Sequence, residues 1–248
     1  MLAVITGASS GIGEELARQL AKNKYDLVLI ARRTTRLEEI KKQLEQYQIS
    51  IEVYTYDLEK QIDLEDLTSK LDQYEIDLFI NNAGFGIVGN SFEVSTDREL
   101  SMIDLNIKSL HYLSAYAIKK IKNGQLINIS SLVVFLPTSL LVSYAATKAY
   151  VYSYSTALRY ELKKKGIPIN VMTVCPGPVK TEFGKVANAT QKMKGQKVDK
   201  CVNEIIKGIK RKKALVIPGF SMKILYILLK VMPLSLILKS AYKIQSKK

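Results

Sequence analysis

Residues 6–13 read Thr6-Gly7-Ala8-Ser9-Ser10-Gly11-Ile12-Gly13. They follow a short apolar run, Leu2 to Ile5, and lead into a helical pattern that extends to about Lys22. Glycines allow a tight turn and let the backbone approach a pyrophosphate closely, while a helix N-terminus offers free N–H groups and a positive dipole. The stretch therefore predicts a strand, a phosphate-binding turn and a helix.

Segments typical of strands and of helices alternate along the rest of the chain. Strands are predicted at Leu2–Ile5, Asp26–Ile30, Ile51–Tyr56, Ile76–Ile80, Leu126–Ile129, Ile167–Val174 and Ala214–Ile217. Helices are predicted at Gly13–Lys22, at 37–47, at Leu64–Leu71, at Glu99–Ile121 with Ser95 or Thr96 as its cap, and at Tyr144–Lys164. Because each parallel crossover needs a helix-sized connection, this order predicts the α/β class: a single Rossmann-type doubly wound domain whose seven-stranded parallel sheet carries helices on both faces. Ligands of such sheets bind beyond the carboxyl ends of the strands.

Composition excludes several classes of protein. With 248 residues, 47% of them hydrophobic and 24% charged, the chain suits one globular domain rather than a disordered one. The formal charge is +14, but the basic residues form no recognisable nucleic-acid motif, so no nucleic-acid partner is expected. Cys175 and Cys201 stand apart, with no CxxC or Cys/His grouping, so no metal site is expected.

Further motifs follow the glycine-rich stretch in chain order. They are Asn81-Asn82-Ala83-Gly84, Asn106 within Leu105-Asn106-Ile107, Ser131 within Ile129-Ser130-Ser131, Tyr144-Ala145-Ala146-Thr147-Lys148, and Pro176-Gly177. Together with residues 6–13 they resemble the motifs of the short-chain dehydrogenase/reductase family. The resemblance covers residues 1 to about 217, which we expect to form the catalytic domain.

The resemblance implies an oxidoreductase that transfers a hydride between NADP(H) and a carbonyl or secondary alcohol, and we expect a hydrophobic substrate. It also implies a homodimer or homotetramer. The catalytic residues it implies are Asn106, Ser131, Tyr144 and Lys148. The cofactor-binding residues are expected to be Gly7, Ser9, Ser10, Gly11, Ile12, Gly13, Arg32, Arg33, Asp57, Leu58, Asn82, Ala83, Gly84, Tyr144, Lys148, Pro176, Gly177, Val179 and Thr181.

Tyr144 and Lys148 are spaced i, i+4 and therefore share one face of a helix. A neighbouring ammonium favours a phenolate, so we expect Lys148 to lower the pKa of Tyr144 and fit it for general acid/base work. Ser131 lacks a histidine base and is expected to hold the substrate oxygen, with Ser130 as the less favoured alternative. The resemblance implies that Asn106 holds a water molecule that links Lys148 to solvent. Alternatively, Asn106 is a polar residue that kinks or caps a helix.

The end of the second predicted strand indicates the cofactor. It reads Ala31-Arg32-Arg33, where a site for NAD would have a carboxylate to accept hydrogen bonds from the ribose 2′-hydroxyl. A guanidinium attracts the 2′-phosphate of NADP(H), and Arg32 is the first choice for this contact, with Arg33 second. Asp57 and Leu58 resemble the family pair at the adenine, although Asp57 could instead cap a helix.

Residues 218–248 lie beyond the family motifs and are expected to form an apolar, basic helical extension packed on the same domain. Lysines and a proline interrupt the apolar runs, so a transmembrane helix is not expected. An interfacial helix on an anionic membrane, a substrate lid and a subunit contact all stay open, with the subunit contact marginally favoured. A mobile covering loop is expected at 182–197, and some of residues 132–136 are expected to line the substrate pocket.

The expected location is the cytoplasm, because residues 1–5 leave no room for a secretory signal, with peripheral membrane attachment as an alternative. A regulator that binds NADPH without turnover is the main rival function. The complete set of Asn106, Ser131, Tyr144 and Lys148 argues against it, since a regulator does not need these residues. An epimerase or dehydratase on a related fold is less favoured.

Overall fold

A parallel β-sheet forms the centre of the molecule in the computed structural model, which describes residues 1–136, 138–187 and 195–238. Its strands in this part of the chain are β1 Leu2–Thr6, β2 Asp26–Ala31, β3 Ile51–Thr55, β4 Leu78–Asn81, β5 Gly124–Ile129, β6 Ile169–Val174 and β7 Leu215–Val216. Their order is β3-β2-β1-β4-β5-β6-β7, and every pair is parallel. The seven-stranded Rossmann-type sheet predicted from the sequence is therefore confirmed.

Helices connect the strands and cover both sides of the sheet. They are α1 Gly11–Lys22, α2 Thr34–Leu44, α3 Gln61–Leu71, α4 Thr96–Ile103, α5 Leu110–Lys120, α6 Val142–Lys164, α7 Phe183–Val186, α8 Val198–Lys210 and α9 Phe220–Val231. A π-helical segment, Asp104–Ser109, joins α4 to α5, and 3₁₀ turns occur at Glu45–Tyr47 and Leu132–Phe135.

Two apolar cores hold these layers together, because successive side chains of a strand point to opposite faces. Ile5 and Leu29 face one core, which they form with buried side chains of α1, α2 and α8. Val4 and Val28 face the other, together with α3, α5 and α6. Burial on both faces explains why these strands are continuously apolar rather than alternating.

The structure corrects several element boundaries. The long helix begins at Thr96 with Ser95 as its N-cap, and the π segment interrupts it. The fourth and sixth strands start two residues later than predicted, at Leu78 and Ile169. Before the sixth strand, the Ile167 N–H donates to the Leu162 carbonyl and closes the turn after α6. Helix α8 was not predicted, although its buried residues recur at helical spacing.

The C-terminal extension continues from β7 into α9. Met222, Leu225 and Tyr226 on one side of α9 pack against a small core formed by Leu132, Cys175 and Ile217. None of the helices in the described ranges is both long enough and apolar enough to span a bilayer. Residues 239–248, the end of the predicted extension, lie outside the described part.

Candidate active site

The glycine-rich turn lies where the sheet order reverses, between the carboxyl ends of β1 and β4. Gly7 has a φ of 65°, and a Cβ there would lie 2.8 Å from the Ala83 Cα. A Cβ on Gly13 would lie 2.2 Å from the Gly7 carbonyl oxygen. The Ser10 side chain makes no capping hydrogen bond, so it leaves the first N–H groups of α1 to another acceptor. This bare backbone at a helix N-terminus fits a dinucleotide pyrophosphate.

Thr6 joins the glycine-rich turn to the Asn-Asn-Ala-Gly motif. Its Oγ1 accepts hydrogen bonds from the backbone N–H groups of Asn82 and Ala83, both at 3.0 Å. In return, the Asn82 amide Nδ2 donates to the carbonyls of Thr6 and Gly7 at 3.0 and 3.1 Å. Sequence reasoning did not assign a role to Thr6, since a lone threonine at a strand end carries no distinctive signal.

The two arginines after β2 lie in different surroundings. Arg33 points at the glycine-rich turn, where its Nε donates to the Ser9 Oγ at 3.2 Å and its Nη2 to the Ser9 carbonyl at 3.0 Å. Arg33 also pairs with Glu182 at 3.1 Å. Arg32 instead pairs with Glu59 at 3.0 Å and lies 3.9 Å from Asp57. Arg33 is therefore the arginine that contacts the predicted phosphate-binding turn.

The remaining residues predicted to bind cofactor lie along the same edge of the sheet. Asp57 and Leu58 follow β3, and the N-cap of α3 is Lys60, so the alternative of Asp57 as that cap is wrong. Thr181 approaches the turn, because a Cβ on Gly11 would lie 3.1 Å from its side chain. Pro176 and Gly177 follow β6, and Val179 forms an isolated β-bridge with Gln196.

Tyr144, Ser131 and Lys148 come together beyond the carboxyl end of β5. The Ser131 hydroxyl interacts with the Tyr144 hydroxyl closely enough to lower its pKa. The Lys148 Nζ donates to the Ile129 carbonyl at 3.0 Å and lies 6.0 Å from the centre of the Tyr144 ring. All three side chains are buried, which keeps water away from the proton donor.

The pKa values of this group differ from the expectation. Burial raises the pKa of Tyr144 to about 12, and the interaction with the Ser131 hydroxyl acts in the opposite direction. Burial also lowers the pKa of the Lys148 ammonium to about 8. The predicted lowering of the Tyr144 pKa is therefore wrong for this structure, because removal of the phenolate from water outweighs the attraction of a distant ammonium. Tyr144 is a neutral acid at neutral pH.

Asn106 lies in the π-helical segment and is fully buried. Its Oδ1 accepts from the Phe85 N–H at 3.1 Å, and its Nδ2 donates to the Phe85 carbonyl at 2.8 Å and to the Thr147 Oγ1 at 3.1 Å. A Cβ on Gly84 would lie 2.8 Å from this Oδ1 and 3.3 Å from the Lys148 Nζ. Asn106 thus lies at an irregularity within a helix, in agreement with the alternative that it kinks the helix. It also lies near Lys148, which the predicted water link between Lys148 and solvent requires. Irregular π turns often mark functional sites.

Two further residues, Ser130 and Phe183, lie next to the group of Tyr144, Ser131 and Lys148. Ser130, the alternative to Ser131, donates its hydroxyl to the Lys148 carbonyl at 2.8 Å and so supports α6 rather than facing Tyr144. Phe183 of α7 packs near Tyr144, with the two rings tilted and their centres 5.6 Å apart. The predicted loop at 182–197 therefore begins with a short helix, and residues 188–194 of it lie outside the described part. Phe183 was missed because nothing in the local sequence indicates its contact.

Comparison with known proteins agrees with this geometry. The family model for short chain dehydrogenases matches residues 1–192. An uncharacterised oxidoreductase of Staphylococcus epidermidis is 35% identical over 186 residues, which are 73% of this chain and 78% of that protein. A short-chain dehydrogenase from Sphingobium yanoikuyae, solved in complex with NADPH, superposes with a TM-score of 0.82 at 28% identity and covers 100% of this chain and 96% of its own. The bulky-bulky ketone specific alcohol dehydrogenase from Comamonas testosteroni gives 0.81 at 28% identity, with coverages of 100% and 94%.

This chain belongs to the short-chain dehydrogenase family. It is an oxidoreductase that acts on alcohol or carbonyl groups and uses a nicotinamide cofactor. Within the described residues, no group of three or more His, Cys, Asp or Glu side chains could hold a metal ion.

Proposed function

We propose that the protein reduces a hydrophobic ketone with NADPH, or oxidises the corresponding alcohol with NADP⁺, and that Tyr144 is its general acid/base. The observation that carries this proposal is the buried group formed by Tyr144, Ser131 and Lys148 beside the glycine-rich turn. A nicotinamide bound along this edge supplies the hydride chemistry.

The chain's own residues manage the proton. With a pKa of about 12, Tyr144 keeps its proton at neutral pH and can donate it to a carbonyl oxygen. Ser131, whose hydroxyl interacts with that of Tyr144, is the residue that we expect to hold the same oxygen. Lys148 binds the Ile129 carbonyl with one of its donors and keeps others for the ribose hydroxyls of the cofactor. Asn106 lies beside Lys148 across Gly84, which suits a relay of protons from solvent.

The arginines support a preference for NADP(H). Arg33 touches the phosphate-binding turn through Ser9, and Arg32 follows the same strand. We assign the main 2′-phosphate contact to Arg33 and a weaker one to Arg32, which already has two carboxylates close to it. The related structure from Sphingobium yanoikuyae contains NADPH, which is consistent with this assignment.

Apolar side chains around Tyr144 support a hydrophobic substrate. Tyr144 belongs to an apolar cluster with Ile87 and Met102, against which Phe85 and Val133 pack. The 3₁₀ turn Leu132–Phe135 that follows Ser131 is apolar throughout. The Comamonas testosteroni relative is specific for bulky ketones, in agreement with a site of this kind.

A panel of carbonyl compounds tests this function. Purified protein is mixed with NADPH or NADH and with ketones of increasing bulk, and the loss of absorbance of the reduced cofactor is followed. We expect turnover of bulky apolar ketones with NADPH, and the reverse reaction with NADP⁺ and the matching alcohols. Tight NADPH binding with no turnover above the level of the Tyr144→Phe variant would instead identify the regulator that binds NADPH without chemistry.

A further inference from the structure

One side of helix α9 presents an apolar stripe to solvent. Phe220, Ile224, Ile227, Leu228 and Val231 recur at helical spacing, and each is between 44 and 78% exposed. The opposite side of the helix is the one that packs on the body of the protein, through Met222, Leu225 and Tyr226. The stripe therefore adds nothing to the core, and large exposed apolar patches mark surfaces that bind something.

A basic groove borders the start of this stripe. It has a volume of about 450 Å³ and lies between α8, β7 and the first turn of α9. Four basic side chains line it, Lys207, Arg211, Lys213 and Lys223, and Phe220 stands at its rim. Glu204 also lines the groove, where its carboxylate pairs with Lys223 and accepts a hydrogen bond from the Gly219 N–H. Cationic groups and the apolar stripe thus form one continuous surface, which we name the C-terminal surface.

The charge of the chain is concentrated at this end. No Asp or Glu occurs after Glu204, whereas eleven Lys and Arg residues do, so the last 44 residues carry +11 of the net charge of +14. The preceding 204 residues are close to neutral. A surface of this composition complements an anionic partner that also has an apolar interior.

We infer that the C-terminal surface docks the protein on an anionic phospholipid bilayer. The basic groove binds the headgroup phosphates, and the stripe of α9 enters the boundary between headgroups and acyl chains. A second copy of the chain fits less well, because a two-fold interface pairs the same patch on both subunits and would bring two basic surfaces together. Nucleic acid fits less well too, because four of the five stripe residues are Ile, Leu or Val, which cannot stack on bases.

Docking in this way has a consequence for the active site. The inner side of α9 contacts the 3₁₀ turn Leu132–Phe135, which directly follows Ser131. The bilayer would therefore lie next to the region proposed to receive a hydrophobic substrate. The docking itself does not depend on the proposed reaction, because it involves none of the catalytic residues.

Vesicle sedimentation of the full chain tests this inference. The vesicles contain phosphatidylcholine alone, or phosphatidylcholine with about one third phosphatidylserine. Three variants are compared with the parent: Ile227→Asp in the stripe, the triple variant Lys207→Gln, Arg211→Gln, Lys213→Gln in the groove, and both combined. Two matched controls lie elsewhere: Ile62→Asp, because Ile62 is 68% exposed and Ile227 62%, and a triple Gln variant of the exposed residues Lys163, Lys164 and Lys165.

We expect the parent and both controls to sediment with the anionic vesicles only, and to be released by high salt. Each surface lysine contributes roughly fivefold to such binding, so the groove variant should bind on the order of 100-fold more weakly. Three results would overturn the inference. They are equal binding of the parent and the variants, no binding of the parent, and equal losses of binding in the variants and the controls. A fall in mass by light scattering for Ile227→Asp, with no lipid binding by the parent, would assign the surface to a second copy.

Discussion

The replacement of Arg33 by alanine tests the choice of cofactor. Arg33 lies closer to the predicted phosphate site than Arg32 does, because its guanidinium donates hydrogen bonds to the hydroxyl and the carbonyl of Ser9 in the glycine-rich turn. A charge-assisted contact to a phosphate contributes about 1.5–3 kcal/mol, which is roughly a ten- to a hundredfold change in dissociation constant. The Arg33 side chain is 49% exposed and forms an ion pair with Glu182. We therefore expect its contribution to phosphate binding to lie near the lower end of this range.

Cofactor titration by fluorescence measures the effect. The dissociation constant for NADPH should rise about tenfold in Arg33→Ala, less in Arg32→Ala, and more in the double variant than in either single variant. The constant for NADH should stay the same, because NADH has no 2′-phosphate. Arg36→Ala is the control, since Arg36 lies on α2 and pairs with Glu14 and Glu39. A double variant that prefers NADPH as strongly as the parent would show that other residues hold the phosphate.

Three further predictions concern the turn and the buried group. Gly13→Ala should abolish cofactor binding and lower the melting temperature, because the new Cβ would lie 2.2 Å from the Gly7 carbonyl oxygen; Gly184→Ala, with open space around it, should do neither. Thr6→Val leaves two partly buried N–H groups without an acceptor and should lower the free energy of unfolding by about 1 kcal/mol in a denaturant titration, and an unchanged value would contradict the role given to Thr6. The kcat/KM for ketone reduction should be constant below pH 8 and fall above it, because Lys148 loses its charge at a pKa of about 8 while Tyr144 keeps its proton to about 12. Lys148→Arg should remove this decline, and a parent profile that stays flat to about pH 10 would contradict the assignment.

Local patterns in the sequence predicted the sheet well because the central strands β1, β2 and β4 are apolar over most of their length. The strand of Asp26–Ile30 and the glycine-rich turn needed no distant information. The π-helical segment around Asn106 could not be predicted, because it depends on hydrogen bonds to Phe85 and Thr147, which are far away in the chain.

The pKa shifts and the charged contacts within the site also could not be predicted from the sequence. The spacing of Tyr144 and Lys148 correctly indicated one helix face, but the sign of the pKa shift of Tyr144 depends on its burial. Similarly, the sequence analysis ranked Arg32 above Arg33, whereas in the structure Arg33 contacts Ser9 and Arg32 lies beside Glu59 and Asp57. In helix α8 the buried residues recur at helical spacing, so local sequence is sufficient to predict this helix.

The most direct test of the account is the Tyr144→Phe variant, which removes one hydroxyl and leaves the ring in its apolar cluster. A general acid contributes roughly 10²- to 10⁴-fold to a rate, so kcat for ketone reduction should fall by that factor while the dissociation constant for NADPH stays the same. Tyr154→Phe, on the same helix but packed against His111, should retain full activity. A Tyr144→Phe enzyme that retains kcat within about a factor of ten of the parent would contradict the assignment of Tyr144 as the proton donor.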